Sequence, residues 1–315
     1  MSNSGPDVEP SPTGRPRGGV TAVALAALVP GALIGWLVYE AAGGSGGGSA
    51  EGAAGSSASS ASRPAAAPPA SSEPPAADDR KPAASPSVSV GDALQGKVVV
   101  IDPGHNPGNF QHTAEINRKV DIGSAMKECD ATGTSTNDGY LEARFTLDVA
   151  HRLRDLLTAQ GATVKLTHDA DRPFGPCIDE RARIGNEAKA DAVVSVHADG
   201  VGAGNRGFHM ILPGAVTAGA ADTRPILAPS RDLGERIADG FARETGSAPS
   251  NYVGGGTGLV TRTDLGGLNL STVPKVFIEC GNMRDGTDAA LLTSGDWRQR
   301  AAKGISEGIV SFLRG

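Results

Sequence analysis

Residues 97–105, KVVVIDPGH, decide the fold of this chain. At their centre, residues 98–101 form a short run of β-branched apolar side chains, which Pro103 and Gly104 follow closely. A run of this length and composition predicts a strand, since a helix needs a longer periodic pattern. The run does not alternate between apolar and polar residues, which is typical of a parallel strand buried on both faces of a sheet.

Two further stretches share this pattern and also end in a residue with a reactive side chain. Residues 191–197, DAVVSVH, end in His197, and residues 273–279, VPKVFIE, end in Glu279, as the first stretch ends in His105. Ligands of open α/β sheets bind outside the carboxyl ends of the strands. We therefore expect the two histidines and the glutamate to meet at one edge of a sheet.

The residues from 94 to 315 alternate between predicted strands and predicted helices. Besides the three strands above, the pattern predicts strands at 163–167 and 207–212, and helices at 141–160, 178–190, 231–245 and 296–313. Residues 110–138 and 213–230 are predicted to be irregular. The alternation predicts one α/β domain with a mostly parallel, twisted sheet that is flanked by helices.

Glu142 opens the predicted helix at 141–160, three residues before Phe145 on the apolar stripe that faces the core. A buried carboxylate needs a partner, and a metal ion would be one. The other interpretation is a first-turn glutamate that stabilises the helix dipole.

His105, Glu142 and His197 form a set of two imidazoles and one carboxylate. Catalytic zinc sites use three such ligands and leave the fourth position to water, whose pKa the metal lowers to about 7. We therefore predict a Zn²⁺ site at the carboxyl edge of the strands, with Glu279 as the general base. Asp102 either orients His105 from outside the ligand set or stabilises the turn.

Residues 20–39, VTAVALAALVPGALIGWLVY, carry no charge and would extend about 30 Å as a helix, which matches a bilayer core. Arg15 and Arg17 precede the run, which predicts that residues 1–19 are cytoplasmic and that the remainder is outside. The run is either an uncleaved transmembrane signal-anchor or a signal peptide.

Residues 40–93 are rich in Ala, Gly, Ser and Pro and contain too little apolar surface to fold, so we expect a disordered linker before the domain at 94–315. The chain of 315 residues has a formal net charge of −6. It has no dense basic patch, which argues against nucleic acid as a partner. We expect a monomer.

Four separated stretches resemble one enzyme family in their order and spacing. They are VVVIDPGHNPGN, the glutamate that opens LEARFTLDVAHRL, IDERARIGNEAKADAVVSVHADG, and VFIECGNMRD. Together they resemble the zinc-dependent N-acetylmuramoyl-L-alanine amidases of the Amidase_3 family over residues 97–315. The resemblance is strongest to the short actinobacterial members, which carry a disulfide.

The resemblance implies hydrolysis of the amide between N-acetylmuramic acid and L-alanine in peptidoglycan or muropeptides. It implies that His105, Glu142 and His197 are zinc ligands and that Glu279 is the catalytic glutamate. The implied location is the cell envelope: the enzyme is exported and membrane-anchored with its catalytic domain outside, or secreted if residues 20–39 are cleaved off.

Arg181 and Asn186 match the R…AN helix of the family, here R…GN, and we expect them to support the site. Many members have Gly-Phe and then Asn after the catalytic glutamate, whereas this chain has Cys280-Gly281-Asn282. The interval from His105 to Glu142 is longer than in compact members, so residues 106–138 could control access.

Cys129 and Cys177 lie in loop-like segments of a domain that we expect to be exported, and we predict a disulfide between them. Cys280 is predicted to be a packed free thiol. His112, His151, His168 and His209 are predicted to be surface or structural residues, and His112 is the one nearest to His105 in sequence.

Two alternatives to the amidase stay open at this point. One is a non-catalytic peptidoglycan-binding or regulatory module on the same fold, which the presence of all four site residues disfavours. The other is a zinc peptidase or deacetylase that acts on the same polymer.

Overall fold

The computed structural model describes residues 93–315. The predicted cytoplasmic segment 1–19, the apolar run 20–39 and nearly all of the linker at 40–93 lie outside the described residues. Within 93–315, none of the helices has the length and apolarity needed to cross a bilayer.

The strands between residues 93 and 315 form one six-stranded sheet and two short hairpins. In chain order they are β1 (Val98–Pro103), β2 (Lys119–Asp121), β3 (Met126–Glu128), β4 (Thr163–Leu166), β5 (Ala192–Asp199), β6 (His209–Pro213), β7 (Thr217–Ala218), β8 (Ala221–Asp222), β9 (Leu259–Arg262) and β10 (Lys275–Asn282). The hairpins are β2–β3 and β7–β8, and both lie in segments that were predicted to be irregular.

The large sheet has the strand order β4-β1-β5-β10-β6-β9. β1 is parallel to β4 and β5, β5 is parallel to β10, and β6 is parallel to β9, whereas β6 is antiparallel to β10. The predicted α/β fold with a mostly parallel sheet is confirmed. The parallel run of β1, β5 and β10 brings their carboxyl ends to one edge.

The helices cover both faces of this sheet. They are α1 (Thr113–Ile116), α2 (Glu142–Thr158), α3 (Ile178–Glu187), α4 (Leu227–Thr245), α5 (Gly266–Asn269), α6 (Gly286–Thr293) and α7 (Gly295–Arg314). α4 begins before its predicted start at residue 231. Pro229 lies in the first turn of the helix, where its missing N–H is not needed, so it does not interrupt the helix. α6 was missed, although Asp285 caps its first turn by accepting from the N–H groups of Thr287 and Asp288.

β1 and most of β5 are buried on both faces, as expected, but the two faces of the sheet differ in character towards the carboxyl ends of the strands. One face packs on α2, α4 and α7 and contributes Val99, Ile101, Val194, Val196, Ala198, Met210, Leu212, Val276, Ile278 and Cys280 to the main core. Side chains alternate between faces along a strand. The other face therefore carries the polar residues Asp102, Ser195, His197, Lys275 and Glu279, and the functional residues of the strands all lie on that side.

Glycines allow α4 and α7 to approach each other closely above the core. A Cβ on Gly240 would lie 2.4 Å from the carbonyl oxygen of Gly304, and a Cβ on Gly304 would lie 2.7 Å from that of Gly240. A Cβ on Gly308 would lie 2.4 Å from Cα of Ile237. These contacts involve backbone atoms, so a side chain at any of the three glycines would force the helices apart.

Replacing Gly304 by Ala should lower the free energy of unfolding by about 1–3 kcal/mol, because the added methyl group overpacks the contact between α4 and α7. The matched control is Gly286→Ala, since a Cβ on that helical glycine meets nothing within 4 Å. The control should leave stability unchanged or raise it slightly. Urea unfolding of the two variants measures the difference, and equal stabilities would contradict the packing argument.

Candidate metal centre

His105 lies just beyond β1 in an uncommon backbone conformation. Its φ is +62°, in the left-handed region that residues other than glycine seldom adopt. Gly104 cannot carry a side chain, because a Cβ there would lie 2.3 Å from Cε1 of His197. Nδ1 of His105 lies 3.0 Å from the carbonyl oxygen of Ala131. A carbonyl only accepts, so Nδ1 carries the proton and Nε2 is the nitrogen available for another partner.

Glu142 is the first residue of α2, and its carboxylate reaches the sheet edge between the two histidines. Oε2 lies 3.2 Å from Nε2 of His105, and Oε1 lies 3.0 Å from Nδ1 of His197. The same oxygens accept from the backbone N–H groups of Thr134 and Ala198. Burial raises the pKa of Glu142, but the two histidines outweigh burial and hold that pKa well below its usual range.

His105, Glu142 and His197 offer ligand atoms that all lie within 4.8 Å of one another. Neighbouring ligand atoms in a tetrahedral zinc site are about 3.3 Å apart, close to the distances of 3.2 and 3.0 Å found here. Both nitrogens of His105 face oxygen acceptors, so either a proton or a metal ion has to lie between Nε2 and Glu142. These three residues therefore fit a metal ion with the donor preference of zinc.

Arg181 of α3 is buried and holds the turn that presents His105. Its Nη1 donates to Asp102 at 2.7 Å and to the carbonyl of Pro103 at 2.6 Å. Its Nη2 donates to the carbonyl of His105 at 3.0 Å and to Asp130 at 2.9 Å, and its Nε donates to a further carbonyl at 2.8 Å. All donors of the guanidinium are thus used. Arg181 was predicted to support the site; its contacts hold the turn of His105, and its effect on the site stays a prediction.

Asp130 was missed by the sequence reasoning, although it stands next to the predicted disulfide. Its carboxylate pairs with Arg181 and lies 3.6 Å from Nδ1 of His105. It also accepts from Nδ2 of Asn109 at 3.0 Å. Burial raises the pKa of Asp130, but the charge of Arg181 outweighs it and keeps the carboxylate ionised. The neighbouring Ala131 supplies the carbonyl that orients the His105 ring.

Asp102 lies at the end of β1 and makes no hydrogen bond with His105. It accepts from Thr167, Arg181, Ser195 and Lys275. Burial raises its pKa, but the cations Lys275 and Arg181 outweigh burial and lower that pKa. Of the two interpretations left open, the contacts favour stabilisation of the turn, and Asp102 reaches His105 only through Arg181.

Asn186 and Asn282 lie away from the three candidate ligands and tether backbone segments. Asn186 donates to the carbonyl of Leu270 at 2.8 Å and accepts from the N–H of Thr272 at 2.8 Å, which fixes the approach to β10. Asn282 donates to the carbonyls of Val201 at 3.0 Å and Asn205 at 2.6 Å, which fixes the loop after β5. Both residues thus tether segments next to the strands that carry the candidate residues, and a role in the site stays a prediction for each.

Glu279 lies on β10 beside the candidate ligands. It is paired in register with His197 on β5 and with His209 on β6, so the three side chains share one face. Its Oε2 is buried and has no hydrogen-bond partner among the described residues. Burial, together with the charges of Asp199 and Glu142, raises the pKa of Glu279 well above its usual value.

Cys129 and Cys177 form the predicted disulfide. It joins the segment before α2 to the start of α3, and so connects the chain that carries Asp130 to the helix that carries Arg181. Cys280 is a buried free thiol, as predicted. His112 contacts Glu115 rather than the site.

Comparison with known proteins gives a consistent result. The family model described as N-acetylmuramoyl-L-alanine amidase (Amidase_3) matches residues 99–311. The N-acetylmuramoyl-L-alanine amidase Rv3717 of Mycobacterium tuberculosis is 39% identical over 236 residues, which are 73% of this chain and 94% of that protein. The amidase LytC of Bacillus subtilis is 25% identical over 74% of this chain, but the match spans only 39% of LytC.

Solved structures show the same likeness. The crystal structure of the N-acetylmuramyl-L-alanine amidase Ami1 from Mycobacterium smegmatis aligns with a TM-score of 0.64 and 40% identity, over 70% of this chain and 98% of that chain. The apo form of Ami1 from Mycobacterium abscessus aligns with a TM-score of 0.63 and 40% identity, over 70% of this chain and 100% of that chain.

Arg181→Lys should weaken metal binding by about 10–100-fold. A lysine ammonium has too few N–H donors to bond all the acceptors around the guanidinium, so it would not hold the turn at His105. Chelator competition measures the metal affinity, and circular dichroism checks the fold. Arg183→Lys is the matched control, since Arg183 lies on the same helix but is exposed and pairs only with acidic side chains of α3. Equal metal affinities in both variants would contradict the proposed role of Arg181.

Proposed function

The chain belongs to the Amidase_3 family of N-acetylmuramoyl-L-alanine amidases, and on that premise we propose that it works as a zinc enzyme with His105, Glu142 and His197 as ligands. Its reaction is hydrolysis of the amide between N-acetylmuramic acid and L-alanine in peptidoglycan. The single observation that supports the zinc site best is the convergence of the three ligand atoms within 4.8 Å. When bound there, zinc supplies Lewis acidity, which activates water and polarises the scissile carbonyl.

Glu279 acts as the general base in this proposal. Its carboxylate takes a proton from the attacking water as the water oxygen bonds to the amide carbon, and it then donates that proton to the nitrogen of L-alanine. The C–N bond breaks and leaves a lactyl carboxylate and a free amine. Burial raises the pKa of Glu279 above its usual value, which makes its carboxylate a stronger base for this proton transfer.

Backbone groups hold the ligand set in position. The N–H groups of Thr134 and Ala198 fix the two oxygens of Glu142, and the carbonyl of Ala131 selects the tautomer of His105. Because these donors and acceptors belong to the main chain, the ligand geometry exists before a metal or substrate binds.

Glu279→Gln should reduce the release of stem peptides from purified sacculi by about 10²–10⁴-fold, because the amide cannot take the proton from water. Metal content should not change, since Glu279 is not a proposed ligand. The control is Glu235→Gln on the exposed side of α4, which should retain full activity.

Mass spectrometry of the products separates the amidase from the alternatives, since only an amidase frees the amino terminus of L-alanine. A peptidase or a deacetylase would give other products from the same polymer. Binding to sacculi without any release by the unmodified protein would support the non-catalytic module. Unchanged release by Glu279→Gln would show that another group is the base.

The enzyme works in the cell envelope, and we propose that residues 20–39 anchor it to the membrane with the catalytic domain outside. Support comes from the uncharged run, which is long enough to span a bilayer at about 30 Å, and from the two arginines before it. Residues 40–93 would then act as a flexible tether to the wall.

Deleting residues 20–39 should move the protein from the membrane fraction to the soluble fraction of the cell, because the anchor and export signal are lost together. The matched control deletes residues 60–79, which shortens the linker by the same length and should leave the protein in the membrane fraction. Cell fractionation followed by intact-mass analysis measures both. If the protein expressed from the undeleted gene has a mass that lacks the apolar run, residues 20–39 are a cleaved signal peptide instead.

A further inference from the structure

Two buried polar atoms beside the candidate centre lack a hydrogen-bond partner among the described residues: Nδ1 of His209 and Oε2 of Glu279. His209 is only 4% exposed. It lies directly opposite Glu279 in the antiparallel pairing of β6 and β10. Directly opposed residues point to the same face, with Cβ atoms about 4.5–5.5 Å apart. The two unpaired atoms therefore belong to neighbouring side chains on the face that carries His197.

Unpaired atoms of this kind are uncommon, since leaving one buried donor or acceptor unsatisfied costs about 1–3 kcal/mol. Here the two atoms are chemically complementary. An imidazole Nδ1 can donate its proton, and a carboxylate oxygen can only accept. The structure has no direct hydrogen bond between them, and a single water molecule that bridges them would satisfy both groups.

The other groups that face His209 already have partners. Tyr252 packs its ring edge-on against the imidazole with centroids 5.8 Å apart, and its hydroxyl donates to Asp199 at 2.9 Å. Arg262 forms two hydrogen bonds with Asp264. Among the described neighbours of His209, Oε2 of Glu279 is thus the acceptor that has no hydrogen-bond partner.

His209 is suited to act as a neutral donor. Burial and the positive charge of Arg262 outweigh the attraction of Asp199 and lower the pKa of His209 to about 4. At neutral pH the ring therefore has one N–H and one acceptor nitrogen, and Nδ1 can carry the proton beside an anionic carboxylate.

We propose that His209 is a positioning residue for Glu279: its Nδ1–H holds Oε2 of the carboxylate across one water and fixes the carboxylate towards the candidate metal centre. This inference rests on the proposed role of Glu279 as general base. It changes the interpretation of His209, which the sequence alone placed among the surface or structural histidines.

Three substitutions in the full-length chain test the geometry. The side-chain nitrogen of His209→Asn occupies the place of Nδ1, whereas that of His209→Gln occupies the place of Nε2, and His209→Leu has no donor. Loss of positioning should lower kcat by about 100-fold in the Gln and Leu variants, while the Asn variant should retain most of it. KM and metal content should stay unchanged in all three, and His151→Leu on the surface of α2 serves as the control.

Two further measurements distinguish positioning from packing. Without the donor the carboxylate is less stabilised, so its pKa rises and the acid limb of the kcat/KM profile should move to higher pH in the Leu and Gln variants. In the metal-free protein, ¹⁵N spectra of the histidines, with the His209 signals assigned by their loss in His209→Asn, should show the Nδ1–H tautomer.

Equal kcat values for the Asn and Gln variants would overturn the proposal, and so would a His209 tautomer with the proton on Nε2. If the Leu variant unfolds, the comparison of the Asn and Gln variants still decides, because both are polar and similar in size. A different result would show that the proposed function itself fails: Glu279→Gln would then hydrolyse peptidoglycan as fast as the unmodified protein.

Discussion

The buried guanidinium of Arg181 is the interaction on which the candidate site depends. It joins the end of β1, the turn at His105 and the segment that carries Asp130 through one rigid planar group. Removing one member of a buried ion pair leaves an uncompensated charge and costs about 3–5 kcal/mol. The unusual φ of His105 persists because this network and the hydrogen bond to Ala131 fix the residue from two sides.

The charges buried around this network are consistent with a metal ion among the three candidate ligands. Asp102 and Asp130 are balanced by Arg181 and Lys275, all of them largely shielded from solvent. Glu142 faces the imidazoles of His105 and His197, so its charge is balanced either by protons on these rings or by a metal ion between them. A metal cation beside neutral imidazoles would offset the charge of the Glu142 carboxylate, whereas the two aspartates and the two cations of the Arg181 network balance one another without one.

Much of the sheet could be predicted because its strands are short β-branched runs with clear ends, and Glu142 was found because a carboxylate on an apolar stripe needs a partner. β9 could not be predicted, since LVTR is too short to distinguish from loop. The contact between Ala131 and His105 depends on the path of a long segment, which no local pattern encodes. The pairing of His209 with Glu279 depends on strand register, and that register follows only from the folded sheet.

The long segment between His105 and Glu142 acts as part of the centre. It supplies the carbonyl of Ala131 to one candidate ligand and the N–H of Thr134 to another, and the disulfide fixes it to α3. A movement that opened residues 106–138 as a unit would break both hydrogen bonds. Any control of access by this segment is therefore confined to its parts away from Ala131 and Thr134, such as the β2–β3 hairpin, because the remainder holds the ligands in place.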